Sequence, residues 1–484
     1  MQKRRYIRRT HIAIVTLVFT CINCSVPKST HIGKALPKYI GQISHLFPEN
    51  RLKNLTTYLK NTSETTGMVV LYDGKIIYQY GDVTNVSYNA SVRKSILSLL
   101  FGKYVTNGSM NLNTSLKEMN INDVQPLLPI EKEATIHHII SARSGIFHEP
   151  VNGGYDKENT LKRGSVKPGD YFLYNNWDFN VAGHILERYA GQSVYKELEQ
   201  QLALPLGFQD WDIRNQKKTF DDEKSYYPAY HMYLSTRDMA KIGLLMLNKG
   251  KWNGKQIISE DWIEKSLTPI TPKDTVNKRY GLSASSNVQS SYGYMWWLFE
   301  HFKHNQDFEG AYTARGWGGQ YITVIPKRKL VISHMTDVSL FVKIGWLKGG
   351  VSEPEYWKIL DKLMTGRIFI EELSQHLKPS EMIQMIRENK SNPQYDFTEE
   401  AINSYGYQLL NDGDIEDAVN LFKLNTELYP NQYNTYDSYG ESLVIAGRLT
   451  EGISALKKSL ELNPKNKNAQ RILTSLNINH TGNR

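Results

Sequence analysis

Ser91-Val92-Arg93-Lys94-Ser95-Ile96-Leu97-Ser98-Leu99-Leu100-Phe101 stands where an extended, alternating stretch gives way to an apolar run. The pattern predicts a buried helix with Ser91 in its first turn. Side chains three apart share a helical face, so the Lys94 amine lies beside the Ser91 hydroxyl. A helix start also offers unpaired backbone N–H groups and the positive end of the helix dipole. Together these supply a nucleophile, a nearby base and a donor for an oxyanion. The tetrad alone is weak, because Ser-x-x-Lys recurs at Ser25–Lys28 and Ser454–Lys457. Its context must decide.

Outward from Ser91 the chain alternates between strand and helix signals. Gly67–Tyr72 and Lys75–Tyr80, joined by Asp73-Gly74, form the clearest hairpin. The Ser91 helix stops near Asn107-Gly108, and a second amphipathic helix runs from Asn176 to Ala190, closed by Gly191. Ser235-Thr236-Arg237-Asp238 reads as a capping box opening a helix over 239–248, ended at Gly250. Strands are predicted over 294–299, 320–325 and 330–334, the last two a hairpin around Pro326–Lys329, and a helix over 353–364 packs back on the sheet. Strands at both ends with helices between predict an α+β fold. Its terminal strands share one antiparallel sheet, and a helical insertion lies between them.

Two further stretches are chemically suggestive. In Tyr174-Asn175-Asn176-Trp177-Asp178-Phe179-Asn180 a strand-like run meets a helix start with Asn176 as N-cap, although Tyr and Asn are ordinary there. In Ala314-Arg315-Gly316-Trp317-Gly318-Gly319-Gln320 the glycines allow a ligand close to the backbone. The commoner meaning of such glycines is a bulge or a tight turn.

In this order, Ser91-x-x-Lys94, Tyr174-x-Asn176 and the Gly316 segment resemble the serine β-lactamase-like hydrolases: class C β-lactamases, DD-peptidases, related esterases and the 6-aminohexanoate-dimer hydrolase type. Ile140–Ile146, Leu234–Asp238 and Gln320–Pro326 agree, and the resemblance covers roughly residues 50 to 365. It implies a β-lactamase/transpeptidase-like fold in which Ser91 forms an acyl-enzyme. Lys94 would serve as base or keep Tyr174 ionised, and Tyr174 would protonate the leaving group and activate the deacylating water. The N–H groups of Ser91 and near Trp317 would hold the oxyanion, with Asn176, Arg315 and Gly316 binding substrate and Asn176 orienting Lys94 or the acyl amide. One departure matters. Ala314-Arg315-Gly316 stands where β-lactam-binding members carry Lys-Thr-Gly or a His variant, which removes the usual grip on a penicillin carboxylate. The expectation is an ester- or amide-cleaving enzyme without cofactor or metal. The alternatives are a β-lactamase or DD-peptidase, and an inactive scaffold that binds partners through its C-terminal part.

The 484 residues, 40% hydrophobic and 22% charged, have globular composition. The net charge of +9 is dispersed and owes much to Lys3, Arg4, Arg5, Arg8 and Arg9, so nucleic acid is not expected as a partner. Those residues precede the apolar run Ile12–Phe19, which reads as an export signal over 1–24, placing the protein in the periplasm or at the membrane of a bacterium. The two cysteines, Cys21 and Cys24, both follow that run, and Val18-Phe19-Thr20-Cys21 resembles a lipoprotein signal with Cys21 as lipid anchor. His137-His138 and His148-Glu149 lack metal-ligand spacing.

Beyond a hydrolase domain over 38–365, residues 366–397 read as a helical linker broken at Pro379 and Pro393. Over 398–484 a period of 34 relates Tyr405 to Tyr439, Gly406 to Gly440, Leu409 to Leu443, Gly413 to Gly447 and Pro430 to Pro464. This resembles a pair of tetratricopeptide repeats with a capping helix over 466–476, and implies a protein or peptide partner.

Overall fold

The computed structural model describes residues 33–41, 47–154, 156–281, 288–303, 305–339 and 349–481; the predicted export signal and both cysteines lie outside them. Helix α1 (Glu49–Thr62) leads into strands β1 (Gly67–Tyr72) and β2 (Lys75–Gly81). Helices α2 (Val92–Thr106), α3 (Asn176–Ala190) and α4 (Thr236–Leu247) follow, then strands β3 (Val288–Tyr292), β4 (Trp297–Phe302), β5 (Tyr312–Gly316), β6 (Gln320–Ile325) and β7 (Leu330–Met335), and helix α5 (Glu353–Thr365). The strands form one seven-stranded antiparallel sheet in the order β2-β1-β7-β6-β5-β4-β3, so the N-terminal hairpin forms one edge and the last strand pairs beside it. The fold is α+β, as expected.

The hairpin turn explains the register. Asp73 and Gly74 both have positive φ, 47° and 78°, the twist that a two-residue turn between right-twisted strands requires. Alternation along β1 then divides the core. Val69 and Leu71 pack with Ile96, Leu100 and Ile242 on one face, whereas Met68 and Val70 pack with Leu55, Leu59, Ile359 and Leu363 on the other. Because helices cover both faces, β6 and β7 are buried at every position, including the polar Gln320, Thr323, Ser333 and His334.

Three local expectations are corrected. The aromatic run at 294–299 is not one strand: the chain reverses over Gly293–Trp296, with Met295 at φ 60°, and pairs Val288–Tyr292 with Trp297–Phe302. Propensity favours a strand there, but a Cβ on Gly293 would meet the Ser266 carbonyl at 2.3 Å, so this buried turn passes against backbone. Helix α4 starts at Thr236, and Ser235 Oγ caps it by accepting the Asp238 N–H. No reciprocal capping box forms. The Asp238 carboxylate instead accepts the N–H groups of Gln209 and Asp210 at 2.8 and 2.9 Å.

The third correction concerns residues 366–397. Two short helices, Ile370–Leu373 and Pro379–Asn389, are separated ahead of Pro379, which opens the second at the first turn where its absent N–H costs nothing. Ile368–Phe369 and Tyr395–Asp396 pair in parallel, and Ile370, Met382 and Ile386 join Ile402, Tyr405 and Phe422 in one core. Five helices follow among the described residues: Glu399–Asp412, Ile415–Leu428, Tyr433–Ile445, Leu449–Leu462 and Lys467–Thr481. Gly406 lies against the Phe422 ring and Gly440 against Leu456, where a Cβ would come within 2.5 and 2.7 Å.

Candidate active site

Ser91 is fixed by strain and pairing just before α2. Val86–Tyr88 pairs with Tyr233–Ser235, and the Asn89 N–H donates to the Met232 carbonyl at 2.9 Å. Ala90 is held at φ 45°, a left-handed conformation costly for a residue with a Cβ, and Ser91 then caps the helix without spending its hydroxyl on the cap. Lys94, one turn on, is buried with its Nζ 2.7 Å from Ser91 Oγ and 2.9 Å from Tyr174 Oη. The same Nζ lies over the rings of Tyr174 and Phe179 at 4.2 and 4.7 Å. The amine therefore joins the serine hydroxyl to the phenol.

Electrostatics favours uncharged forms of both partners. Burial, reinforced by the Arg93 cation, holds the Lys94 ammonium well below the usual lysine range. Burial pushes the Tyr174 phenol up to about 12, against the hydrogen bond with Ser91 and the cations of Arg93 and Arg315. A neutral amine can take the Ser91 proton, and a neutral phenol can give one to a leaving group.

Tyr174 is placed from behind by a buried network. Asn175, not Asn176, is the N-cap of α3: its Oδ1 accepts the Trp177 N–H at 3.1 Å while its Nδ2 donates to the His148 carbonyl at 2.9 Å. Trp177 Nε1 and Ser225 Oγ donate to Asp123 at 2.5 and 2.7 Å. Burial raises the Asp123 pKa, but the hydrogen bond with His148, these two donors and the Tyr226 N–H outweigh it and hold the carboxyl down at about 2. Asn176 is turned away from Lys94: its Nδ2 donates to the Gly153 carbonyl and its Oδ1 has no protein partner. Of the two expectations for Asn176, orienting Lys94 or the acyl amide, the first is corrected, because α3 begins at Asn176 and points its side chain to the 153–154 loop.

The third stretch is strand β5. Gly316 passes so close to the nucleophile that a Cβ there would lie 2.7 Å from the Asn89 carbonyl and 3.2 Å from the Ser91 nitrogen. Only glycine fits. Ser91, Tyr174, Arg315, Gly316 and half-exposed Trp317 line one cavity of about 580 Å³, with Tyr280, Ser290, Trp297, Tyr321 and Glu353. Sequence reasoning missed Tyr280, Ser290 and Glu353. Glu353 follows the N-cap Ser352 and carries only the signal of an acidic residue in a first helical turn.

The histidines are engaged locally. His137 Nδ1 lies 2.6 Å from Tyr294 Oη, and His138 Nδ1 accepts the Thr135 N–H. No group of three metal-ligating side chains occurs among the described residues.

A profile described as Beta-lactamase matches residues 55–339, a span that contains every residue of the Ser91 cluster. The chain belongs to the beta-lactamase family. This family comprises serine hydrolases of the β-lactamase/transpeptidase-like type. Among relatives of this beta-lactamase family chain, an uncharacterized protein of Alkalihalophilus pseudofirmus is 25% identical over 262 residues, covering 50% of this chain and 70% of the relative. Among solved structures, a candidate 6-aminohexanoate-dimer hydrolase from Bacillus anthracis is 19% identical with a TM-score of 0.49, covering 69% of this chain and 86% of its own. A penicillin-binding protein from Bacillus halodurans is 15% identical with a TM-score of 0.42, covering 62% of this chain and 99% of its own.

Proposed function

We propose that this family member hydrolyses ester or amide bonds through an acyl-enzyme on Ser91. The observation that carries the reading is the single buried amine of Lys94 within hydrogen-bond reach of both Ser91 Oγ and Tyr174 Oη. Lys94 Nζ takes the hydroxyl proton as Ser91 Oγ attacks the carbonyl carbon. The oxyanion is held by the Ser91 N–H and an N–H beside Trp317, each donor contributing roughly 3–4 kcal/mol. Collapse breaks the bond to the leaving alcohol or amine, which takes its proton from Tyr174 Oη. The Lys94 ammonium returns that proton to Tyr174. A water then repeats the sequence on the acyl-enzyme, with Tyr174 and Lys94 receiving its proton and returning it to Ser91 (microscopic reversibility).

The upward shift of Tyr174 and downward shift of Lys94 favour the amine as base over an ionised phenol. We further propose that the export signal over 1–24 places this site outside the cytoplasm, and that the helical repeats over 398–484, of tetratricopeptide type, bind a protein or peptide. Labelling with a fluorophosphonate, with Ser91→Ala as control, tests the enzyme reading. Ser91-dependent labelling supports it, and its absence favours an inactive scaffold. Turnover of p-nitrophenyl esters above a chromogenic cephalosporin supports esterase over β-lactamase activity.

A further inference from the structure

Arg315 and Glu353 are the only charged side chains among the described residues lining the cavity. The arginine reaches sideways across the sheet. Its guanidinium lies over the rings of Trp297 and Trp357 at 4.7 and 4.9 Å, its Nη1 donates to Glu353 Oε1 at 3.0 Å, and its Nη2 donates to Ser290 Oγ on β3. Only Nε has no protein partner. Arginine recognises a carboxylate through two parallel donors, and here each terminal nitrogen already gives an N–H away, Nη1 to Glu353 and Nη2 to Ser290. The opposing charges also reach further into the cavity: burial chiefly raises the phenol pKa of Tyr174, Tyr280 and Tyr321, and to this Glu353 adds while Arg315 opposes it.

We infer that Glu353 determines specificity: by pairing with Arg315 and setting a carboxylate beside it, it makes the cavity a site for neutral, largely apolar acyl groups and turns away those ending in a carboxylate. The inference rests on the serine hydrolase reading and names the substrate class of that same site. An incoming carboxylate must either displace the Glu353 carboxylate, exchanging one anion for another, or lie beside it. Trp297, Trp317, Tyr280, Tyr321 and Val276 offer an uncharged acyl chain aromatic and aliphatic surface instead.

The test compares p-nitrophenyl pentanoate with mono-p-nitrophenyl glutarate, of equal chain length but ending in a carboxylate, on the purified full chain. The neutral ester is expected to have a kcat/KM at least about tenfold higher. Glu353→Gln should raise the glutarate-to-pentanoate ratio by about tenfold, and Glu353→Asp should return it towards the parent value. Ser290→Ala, which frees the other arm of the fork, should shift the ratio the same way and serves if Glu353→Gln does not fold. A pair that only tethers α5 would change the unfolding temperature and leave the ratio unmoved, which overturns the inference. Equal turnover of both esters by the parent chain overturns it as well, while leaving the hydrolase reading intact. Absence of Ser91-dependent turnover of either ester overturns both.

Discussion

Lys94 owes its chemistry to the free energy of keeping a cation out of water. In the unfolded chain it is an ordinary ammonium. Folded, it is enclosed by Tyr174, Phe179 and the Arg93 cation, so its charged form is disfavoured. The sign of the pH dependence follows. Activity is absent while Lys94 is protonated, rises with pH as it loses its proton well below the usual lysine range, and persists until Tyr174 ionises near 12. A kcat/KM profile measured from acid to alkaline pH checks this, with the acid limb vanishing in Lys94→Arg. That variant keeps the charge and removes the base, at an expected loss of about 10²–10⁴ in kcat/KM. Gly316→Ala should lower activity at least as steeply, because its methyl must displace the Asn89 carbonyl or the Ser91 nitrogen. Ester kinetics alongside circular dichroism separate that local effect from unfolding.

At the scale of elements, the positioning of Tyr174 depends on how α3 is anchored to Asp123. A carboxyl held at about 2 in the folded state lies below its ordinary value of 3.8. Its stabilisation is fully present above the ordinary value and is lost as pH falls through the folded one. Asp123→Asn should therefore destabilise by about 1–3 kcal/mol at neutral pH, with the gap to the parent protein narrowing between pH 4 and 2 in thermal unfolding. Local patterns made much of this scale legible. The apolar spacing and Gly191 bounded 176–190, and Asp73-Gly74 set the first hairpin. The turn at Gly293–Trp296 was not legible, since its cause is the distant Ser266 carbonyl rather than its own aromatic residues. Glu353 escaped for the same reason: its meaning lies in a contact with Arg315. Arg315, read as a substrate anchor, donates to Glu353, a partner that sequence spacing cannot show.

Across the whole molecule, the Ser91 cluster lies where the sheet edge meets the helical insertion, far in sequence from the helices over 399–481. Residues 366–397 share a core with the first two of those helices. Gly440→Val should clash with Leu456 and lower the unfolding temperature of that region, by about 1–3 kcal/mol in stability, while fluorophosphonate labelling of Ser91 is retained. Calorimetry paired with labelling checks it. The central claim is that Ser91 carries a covalent acyl intermediate. Intact-protein and peptide mass spectrometry after brief exposure to p-nitrophenyl pentanoate tests it most directly. The account predicts a pentanoyl adduct on the Ser91 peptide, enriched in Tyr174→Phe where deacylation is slowed and absent from Ser91→Ala. An adduct on another residue, or none while p-nitrophenol is still released by Ser91→Ala, would contradict it.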